Sequence, residues 1–314
     1  MSPGTGVETV FFETPTSLTS LMNQAQNPLS LSLRRIWALA HNTFLELVRL
    51  KVFYFLLLFA FLIIGSSLFT VQFSFQNPLQ VLKDVGLGAM SIFSWLLGLL
   101  CTANLLPKDM EDRTLYTILA KPVSRFEYLQ GKLYGVFLLL GLSVLLMSLL
   151  FAGVLAIREQ QEIAELARNL SAENLPAAVA EIRAATFQMN LLPGVVLILL
   201  KAMLCSTLTL LLSTLATSSV FTVLTSVVVY LIGHVQGIAR EAWLAGGQAS
   251  PLLKVLIAGM ALAFPDLQLF NVVDEIAVGT ALPALLFWQV AGFGGMYILV
   301  YFLLAQLVFS TREL

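Results

Sequence analysis

Six long apolar runs constrain this chain more than any other feature of its sequence. Each run has about the 20 residues that a helix needs to cross the hydrocarbon core of a bilayer. Apolar residues form 58% of the 314 positions and charged residues 11%, about half the proportion found in soluble domains. The sequence therefore predicts an all-α membrane protein. Its six predicted spans are residues 52–73, 85–106, 133–157, 193–217, 220–238 and 284–309.

Two segments of different character precede the first span. Residues 1–28 are rich in Ser, Thr, Pro, Gly, Asn and Gln, which predicts a flexible tail, and they do not have the pattern of a cleaved signal peptide. Residues 29–51 place apolar side chains at intervals of three and four, which predicts an amphipathic helix in the membrane interface. The alternative is that this helix is the foot of the first span. The predicted apolar stripe comprises Leu33, Trp37, Ala40, Phe44 and Leu47.

Two polar stretches separate the later spans. Residues 158–192 are acidic overall and predict a helical excursion outside the membrane, lying on the bilayer or on a partner subunit, or simply solvated. Residues 251–264 are apolar, but about 14 residues that include Lys254 are too few for a span. They predict a short re-entrant or interfacial helix between spans five and six. A second short helix is predicted at residues 271–278.

The densest polar segment, residues 107–132, connects spans two and three. Asp109 can cap a helix start, and an apolar helix face follows it. Pro122 pushes the residue before it out of the α region and so ends that helix. Ser124 and Glu127 then have the spacing of a capping box for a second helix, which continues into span three. The segment therefore predicts a short amphipathic helix, a proline break and a membrane helix.

A recognisable pattern runs through this segment: an acidic residue, Arg113-Thr114, Leu119, Pro122, Arg125 and Gly131-Lys132. The pattern resembles the cytoplasmic loop of type-2 ABC exporter permeases, most nearly the bacterial permeases grouped with copper-enzyme maturation systems. In that family the loop carries the coupling helix, which docks on a separate ATPase subunit. The resemblance covers about two dozen residues. It implies that the coupling surface comprises Glu111, Asp112, Arg113, Thr114, Leu115, Ile118, Leu119, Pro122, Arg125 and Lys132.

Different roles are expected within this coupling surface. Its apolar residues would anchor the contact with the ATPase, and Glu111 and Arg113 would orient that contact through charge-assisted hydrogen bonds. Pro122 would fix the angle between the docking helix and span three. Arg125 and Lys132 are expected to contact phosphate headgroups or the helix before span one rather than the ATPase.

The resemblance also extends to the layout of the chain. Such permeases have an elbow helix before the first span and two short helices that dip into the outer leaflet between the last two spans. Phe264-Pro265-Asp266 and Phe270-Asn271 resemble the copper-associated group at that point. The resemblance implies a second permease copy, identical or closely related, and a soluble ABC ATPase that binds ATP and Mg. No G-x-x-x-x-G-K-[ST] motif is present, so this chain is expected to hold no cofactor of its own.

The positions of the basic residues predict the orientation in the membrane. More of them lie near the span ends on the side of residues 107–132 and of both termini than on the opposite side. Because basic residues favour the cytoplasmic side, both termini are expected to be cytoplasmic. We expect a multi-pass protein of the bacterial cytoplasmic membrane.

Lys201 is the charge of most interest within a predicted span. A lysine at such a depth is costly and usually faces protein or water. It could line a polar pathway or pair with an acid of the short outer helices. Alternatively, span four starts later and Lys201 extends outward to the interface. The candidate acids are Asp266, Asp274 and Glu275.

Other functional classes receive less support. The formal net charge is −1, which does not suggest nucleic-acid binding. Cys101 and Cys205 lie in apolar runs and are expected to be small buried side chains, and His41 and His234 are far apart in sequence. No nucleophile has a plausible base beside it, so an enzyme is not expected. A membrane scaffold or assembly factor with the same fold but without transport remains the alternative function.

Overall fold

A computed structural model describes most of the chain. The described residues are 28–70, 78–111, 124–169, 175–186, 190–216, 218–245, 264–271 and 283–311, with Gln188, Gly259 and Ile276. They are almost entirely helical, and no strand occurs among them. The predicted tail, apart from Pro28, lies outside these residues.

The described helices follow one another along the chain. They are α1 (Pro28–Val48), α2 (Lys51–Thr70), α3 (Pro78–Glu111), α4 (Arg125–Asn169), α5 (Leu175–Thr186), α6 (Leu191–Leu215), α7 (Ser219–Ala245), a 3-10 helix (Leu267–Phe270) and α8 (Ala284–Thr311). Among the described residues, six helical stretches are long and apolar enough to cross a membrane; they contain α2, α3, α4, α6, α7 and α8. The predicted all-α class is therefore confirmed for this part of the chain, which contains as many helices able to span a membrane as the sequence predicts.

Two helices extend beyond their predicted spans into polar sequence. Helix α3 continues through Pro107 to Glu111, and α4 continues from Arg125 to Asn169. Backbone hydrogen bonding does not stop where the side chains become polar, so a change in hydropathy marks the membrane boundary rather than the end of a helix. Asp109 consequently lies near the end of α3, and the prediction that it caps a helix start is wrong.

Helix α6 lies at the centre of the bundle. It packs against α3, α4, α7 and α8, and buried residues occur on all of its faces. A helix enclosed in this way must direct any polar side chain toward another helix. Lys201, near the middle of α6, is therefore only 4% exposed.

Helix α1 packs along the first turns of α4, where two glycines allow a close approach. A Cβ atom added to Gly131 would lie 2.5 Å from the Cβ of Leu39. One added to Gly135 would lie 2.6 Å from the Cβ of Thr43 and 2.9 Å from the carbonyl oxygen of Ala40. These distances are shorter than van der Waals contact, so this small-x-x-x-small pattern brings the two backbones together.

The buried face of α1 includes two residues of the predicted apolar stripe, Ala40 and Leu47. Leu33 and Trp37, which belong to that stripe, are 66% and 62% exposed. The side that meets α4 includes Leu39 and Thr43, which lie against Gly131 and Gly135. The buried residues of α1 are Ile36, Ala40, Thr43 and Leu47.

The 3-10 helix packs against the second half of α7, again at glycines. A Cβ atom added to Gly233 would lie 2.9 Å from the Cγ of Leu267, and one added to Gly237 would lie 2.4 Å from Oε1 of Gln268. Of the two short helices predicted around this segment, only Gly259, Phe264, Asn271 and Ile276 are described. The remaining residues of 251–264 and 271–278 lie outside the described part of the chain.

At the opposite end of the bundle from residues 111–124, α5 packs against the last turns of α4. Nε of Arg183 lies 3.5 Å from Oε1 of Glu159, and Nζ of Lys83 donates a hydrogen bond of 2.6 Å to the carbonyl oxygen of Ala185. Lys83 is 2% exposed and comes from the start of α3. It therefore joins the C-terminal turn of α5 to the bundle, where a cation suits the negative end of a helix.

Candidate functional site

The structure describes part of the predicted coupling surface. Glu111 ends α3, although its side chain is not described, and Arg125 and Lys132 lie in the first turns of α4. Lys201 and Asp266, two of the four predicted intramembrane polar residues, are also described. The predicted site residues outside the described part of the chain are Asp112, Arg113, Thr114, Leu115, Ile118, Leu119, Pro122, Asp274 and Glu275.

Five polar residues join α1, α3 and α4 at the base of the bundle, and we call them the charge network: Glu46, Lys108, Asp109, Tyr128 and Lys132. Nζ of Lys132 lies 2.7 Å from Oδ2 of Asp109 and 3.7 Å from Oε2 of Glu46. Nζ of Lys108 lies 2.7 Å from Oε1 of Glu46. The hydroxyl of Tyr128 donates to Oδ2 of Asp109. Two cations and two anions thus alternate across three helices.

The charge network has a buried side and an exposed side. The side chains of Lys132 and Asp109 are 6% and 10% exposed, whereas that of Lys108 is 48% exposed. Exposed ion pairs contribute about 0–1 kcal/mol, but removing one partner of a buried pair costs about 3–5 kcal/mol. The Asp109–Lys132 pair is therefore the part of the network that holds α3 and α4 in place.

A capping box begins α4, as its sequence predicts. The backbone N–H of Ser124 donates to Oε2 of Glu127 at 2.9 Å, and the backbone N–H of Glu127 donates to Oγ of Ser124 at 3.1 Å. Nη1 of Arg35 lies 3.9 Å from the same Oε2, which adds a long ion pair to α1. These contacts fix the direction in which α4 leaves the polar segment.

Arg125 connects the start of α4 to the end of α8. Its Nη1 atom donates to the carbonyl oxygens of Phe309 and Ser310, at 3.1 and 2.9 Å. Both carbonyls belong to the last turn of α8, where a cation satisfies free acceptors and the negative end of the helix dipole. Arg125 was expected to contact headgroups or the helix before span one. The structure shows a contact with α8, which was not predicted. Lys132 does reach that helix, through Glu46.

Lys201 forms a second polar site, within the bundle. Its Nζ atom lies 3.2 Å from Nε2 of His234 on α7 and 5.7 Å from the ring centroid of Tyr230. An ammonium group only donates, so His234 accepts through an unprotonated Nε2 if Lys201 is charged. Because Lys201 is 4% exposed, the alternative that it extends outward to the interface is wrong. The described partner of Lys201 is His234. Asp266, one of the predicted acid partners, accepts through Oδ1 from the backbone N–H of Gln268.

Sequence reasoning did not assign a role to several of these residues. Glu46, Tyr128 and His234 lie far in sequence from their partners, so their contacts were not predicted. One signal was available for the charge network, because Lys108-Asp109 and Lys132 put opposite charges at the facing ends of consecutive spans. Opposite charges at the same depth in the membrane can form an ion pair between two antiparallel helices.

Comparison with protein-family models and with curated proteins gives no match for this chain. Among the described residues, no group of three or more His, Cys, Asp and Glu side chains could hold a metal ion. Cys101 and Cys205 are free thiols in that part of the chain, and both are buried.

Proposed function

We propose that this chain is the membrane-spanning permease subunit of a type-2 ABC exporter. A separate soluble ATPase would hydrolyse ATP, and two permease chains, identical or closely related, would form the pathway. The chain would lie in the bacterial cytoplasmic membrane with both termini in the cytoplasm. Support comes from the pattern in residues 107–132 and from six helices able to span a membrane. Helix α1 would be the elbow helix of such a permease.

One observation carries this proposal: the start of α4 is attached to three other helices immediately after the predicted docking segment. Lys132 binds Asp109 of α3 and Glu46 of α1, and Arg125 binds the last turn of α8. The glycine contact with α1 covers the same turns of α4. A displacement of residues 111–124 would therefore move four helices together instead of bending one.

The proposed mechanism follows from these attachments. Closure of the ATPase on its nucleotide would displace the docking segment, and α4 would transmit this movement to α1, α3 and α8. Helices α3 and α8 both pack against the central α6, which carries Lys201. The movement would thus reach the Lys201–His234 pair, which would contribute polar groups to the pathway.

Replacement of both Glu111 and Arg113 by alanine tests the proposal. We expect the double variant to insert and dimerise normally but to lose co-purification with its ATPase and the stimulated ATP hydrolysis in liposomes. The charged side chains would orient the contact, so their loss weakens binding without affecting the core of the bundle.

The matched control replaces Glu159 and Arg183, an ion pair at the other end of the bundle, by alanine. This control variant should retain both ATPase binding and stimulated hydrolysis. If the Glu111/Arg113 variant also retains both, the segment is not a coupling element and a membrane scaffold without transport becomes the better account.

A further inference from the structure

A cavity of about 280 Å³ lies where α1, α2 and α3 meet beside the charge network. It is lined by the turn that joins α1 to α2, by the last turns of α3 and by Ser219 at the start of α7. Since Lys51 begins one spanning helix and Lys108 lies near the end of another, the cavity is at the boundary between hydrocarbon and water. A water molecule occupies about 30 Å³ in the liquid, so the cavity has room for about nine groups of that size.

The lining of the cavity is amphipathic. Its inner part is formed by Leu47, Cys101 and Leu105, which are 2%, 1% and 4% exposed. Its outer part includes Lys108 and Asn104, both exposed. An apolar interior below a polar opening fits a molecule with a polar head and a hydrocarbon chain, and bilayer lipids are present at that depth.

The turn that joins α1 to α2 beside the cavity adds positive charge to its surroundings. Arg49 and Lys51 are both exposed and flank Leu50, which lines the cavity. With Lys108 they give three cations against one anion, Glu46. Lys108 lines the cavity and is bonded to Glu46. Basic residues next to a span attract anionic lipid headgroups by about 1 kcal/mol each.

We propose that this cavity binds an anionic glycerophospholipid. Its phosphate lies beside Arg49, Lys51 and Lys108, and the beginning of an acyl chain covers Leu47 and Leu105. Because Lys108 shares Glu46 with Lys132, the bound lipid joins the charge network and stabilises the ion pair that links α1 to α3. The site is a property of the folded chain and does not depend on transport.

Native mass spectrometry of the full chain released from nanodiscs tests this proposal. The nanodiscs contain equal amounts of phosphatidylcholine and phosphatidylglycerol with the same acyl chains. We expect the wild-type chain to retain phosphatidylglycerol in preference to phosphatidylcholine. In the variant R49Q/K51Q, the ratio of retained phosphatidylglycerol to phosphatidylcholine should fall about fivefold for each charge removed. L100W, which fills the cavity, should reduce retention of both lipids.

The controls are matched to the two kinds of change. R34Q removes an exposed cation of α1 far from the cavity, and L145W places a tryptophan on an exposed position of α4; both should keep the wild-type preference. If L100W does not fold, the surface variant R49Q/K51Q still decides the outcome. Equal retention of the two lipids, or unchanged preference in R49Q/K51Q, would overturn the proposal. So would displacement of the lipid by millimolar glycerol 3-phosphate, which would indicate a site for a soluble phosphate.

Discussion

Nζ of Lys132 lies 2.7 Å from Oδ2 of Asp109, and both side chains are almost completely enclosed. This ion pair joins the end of α3 to the first turns of α4, so the two helices that flank residues 112–123 are bonded to each other. The hydroxyl of Tyr128 donates to the same carboxylate oxygen, so two residues of α4 contact Asp109. The helices on either side of the polar segment are therefore held together at its two ends.

Replacement of Asp109 by asparagine should destabilise the chain by about 3 kcal/mol. The change leaves the Lys132 ammonium group enclosed, with Glu46 at 3.7 Å as its remaining anion. The double variant D109N/K132M should be more stable than the sum of the single variants predicts, by about 1–3 kcal/mol. Unfolding of the purified protein in micelles with increasing SDS measures these differences.

The pair Glu159 and Arg183 is the control for this cycle, since its cation is 69% exposed and the two groups are 3.5 Å apart. Its single and double variants, E159Q and R183M, should stay within about 1 kcal/mol of the wild-type chain. Strictly additive effects of D109N and K132M would show that the buried pair does not hold α3 to α4.

Replacement of Gly135 by alanine should separate α1 from α4. The new methyl group would lie 2.9 Å from the carbonyl oxygen of Ala40, which is backbone and cannot rotate away. We expect a loss of about 1–3 kcal/mol in the same unfolding assay. G141A on the same helix is the control, because a Cβ atom there meets nothing within 4 Å and alanine favours the helix. Equal stability of the two variants would contradict the close packing of α1 on α4.

The spans were predictable from the sequence because length and apolar composition are local properties. The boundaries of α3 and α4 were harder to predict. Pro107 to Glu111 are polar yet continue α3, and residues 158–169, predicted as part of a separate helical excursion, continue α4. The contacts of α1 were predictable in part. Ala40 and Leu47 of the predicted stripe are buried, whereas the burial of Thr43 depends on its contact with Gly135, which is distant in sequence.

The polar contacts depend on three-dimensional packing and were predictable only in part. The capping box of Ser124 and Glu127 is a local pattern and could be inferred. The contact between Lys201 and His234 joins residues 33 positions apart on two helices. Its prediction would require the rotation of α6 and α7 about their axes, which apolar periodicity does not determine in a helix that is enclosed all round.

Replacement of Lys201 by methionine should reduce transport without weakening the fold. Methionine has a similar volume and removes the cost of an enclosed charge, so stability should be unchanged or higher. If the Lys201–His234 pair contributes to the pathway, ATP hydrolysis stimulated by substrate should fall about tenfold or more, as expected for loss of a functional intramembrane charge. Wild-type values in both assays would show that Lys201 has no functional role.

Cysteine labelling of intact cells tests the predicted orientation. Cys101 and Cys205 are 1% and 4% exposed, so the natural thiols should give little background. A cysteine at Ser310 should be protected from an impermeant maleimide, because the C-terminus is expected to be cytoplasmic. A cysteine at Glu173 should react. Labelling at Ser310 from outside would mean that residues 251–264 span the membrane and that the six-span layout is wrong.

The most direct test of the central claim is photo-cross-linking from the predicted docking helix. A photoreactive phenylalanine at Leu115 or Leu119 should give an adduct with the soluble ATPase in native membranes, and its yield should change when a non-hydrolysable ATP analogue is added. The same residue placed at Leu138, on an exposed part of α4 in the membrane, should give no such adduct. Absence of an ATPase adduct from both docking positions, in membranes where the ATPase is present, would contradict the account.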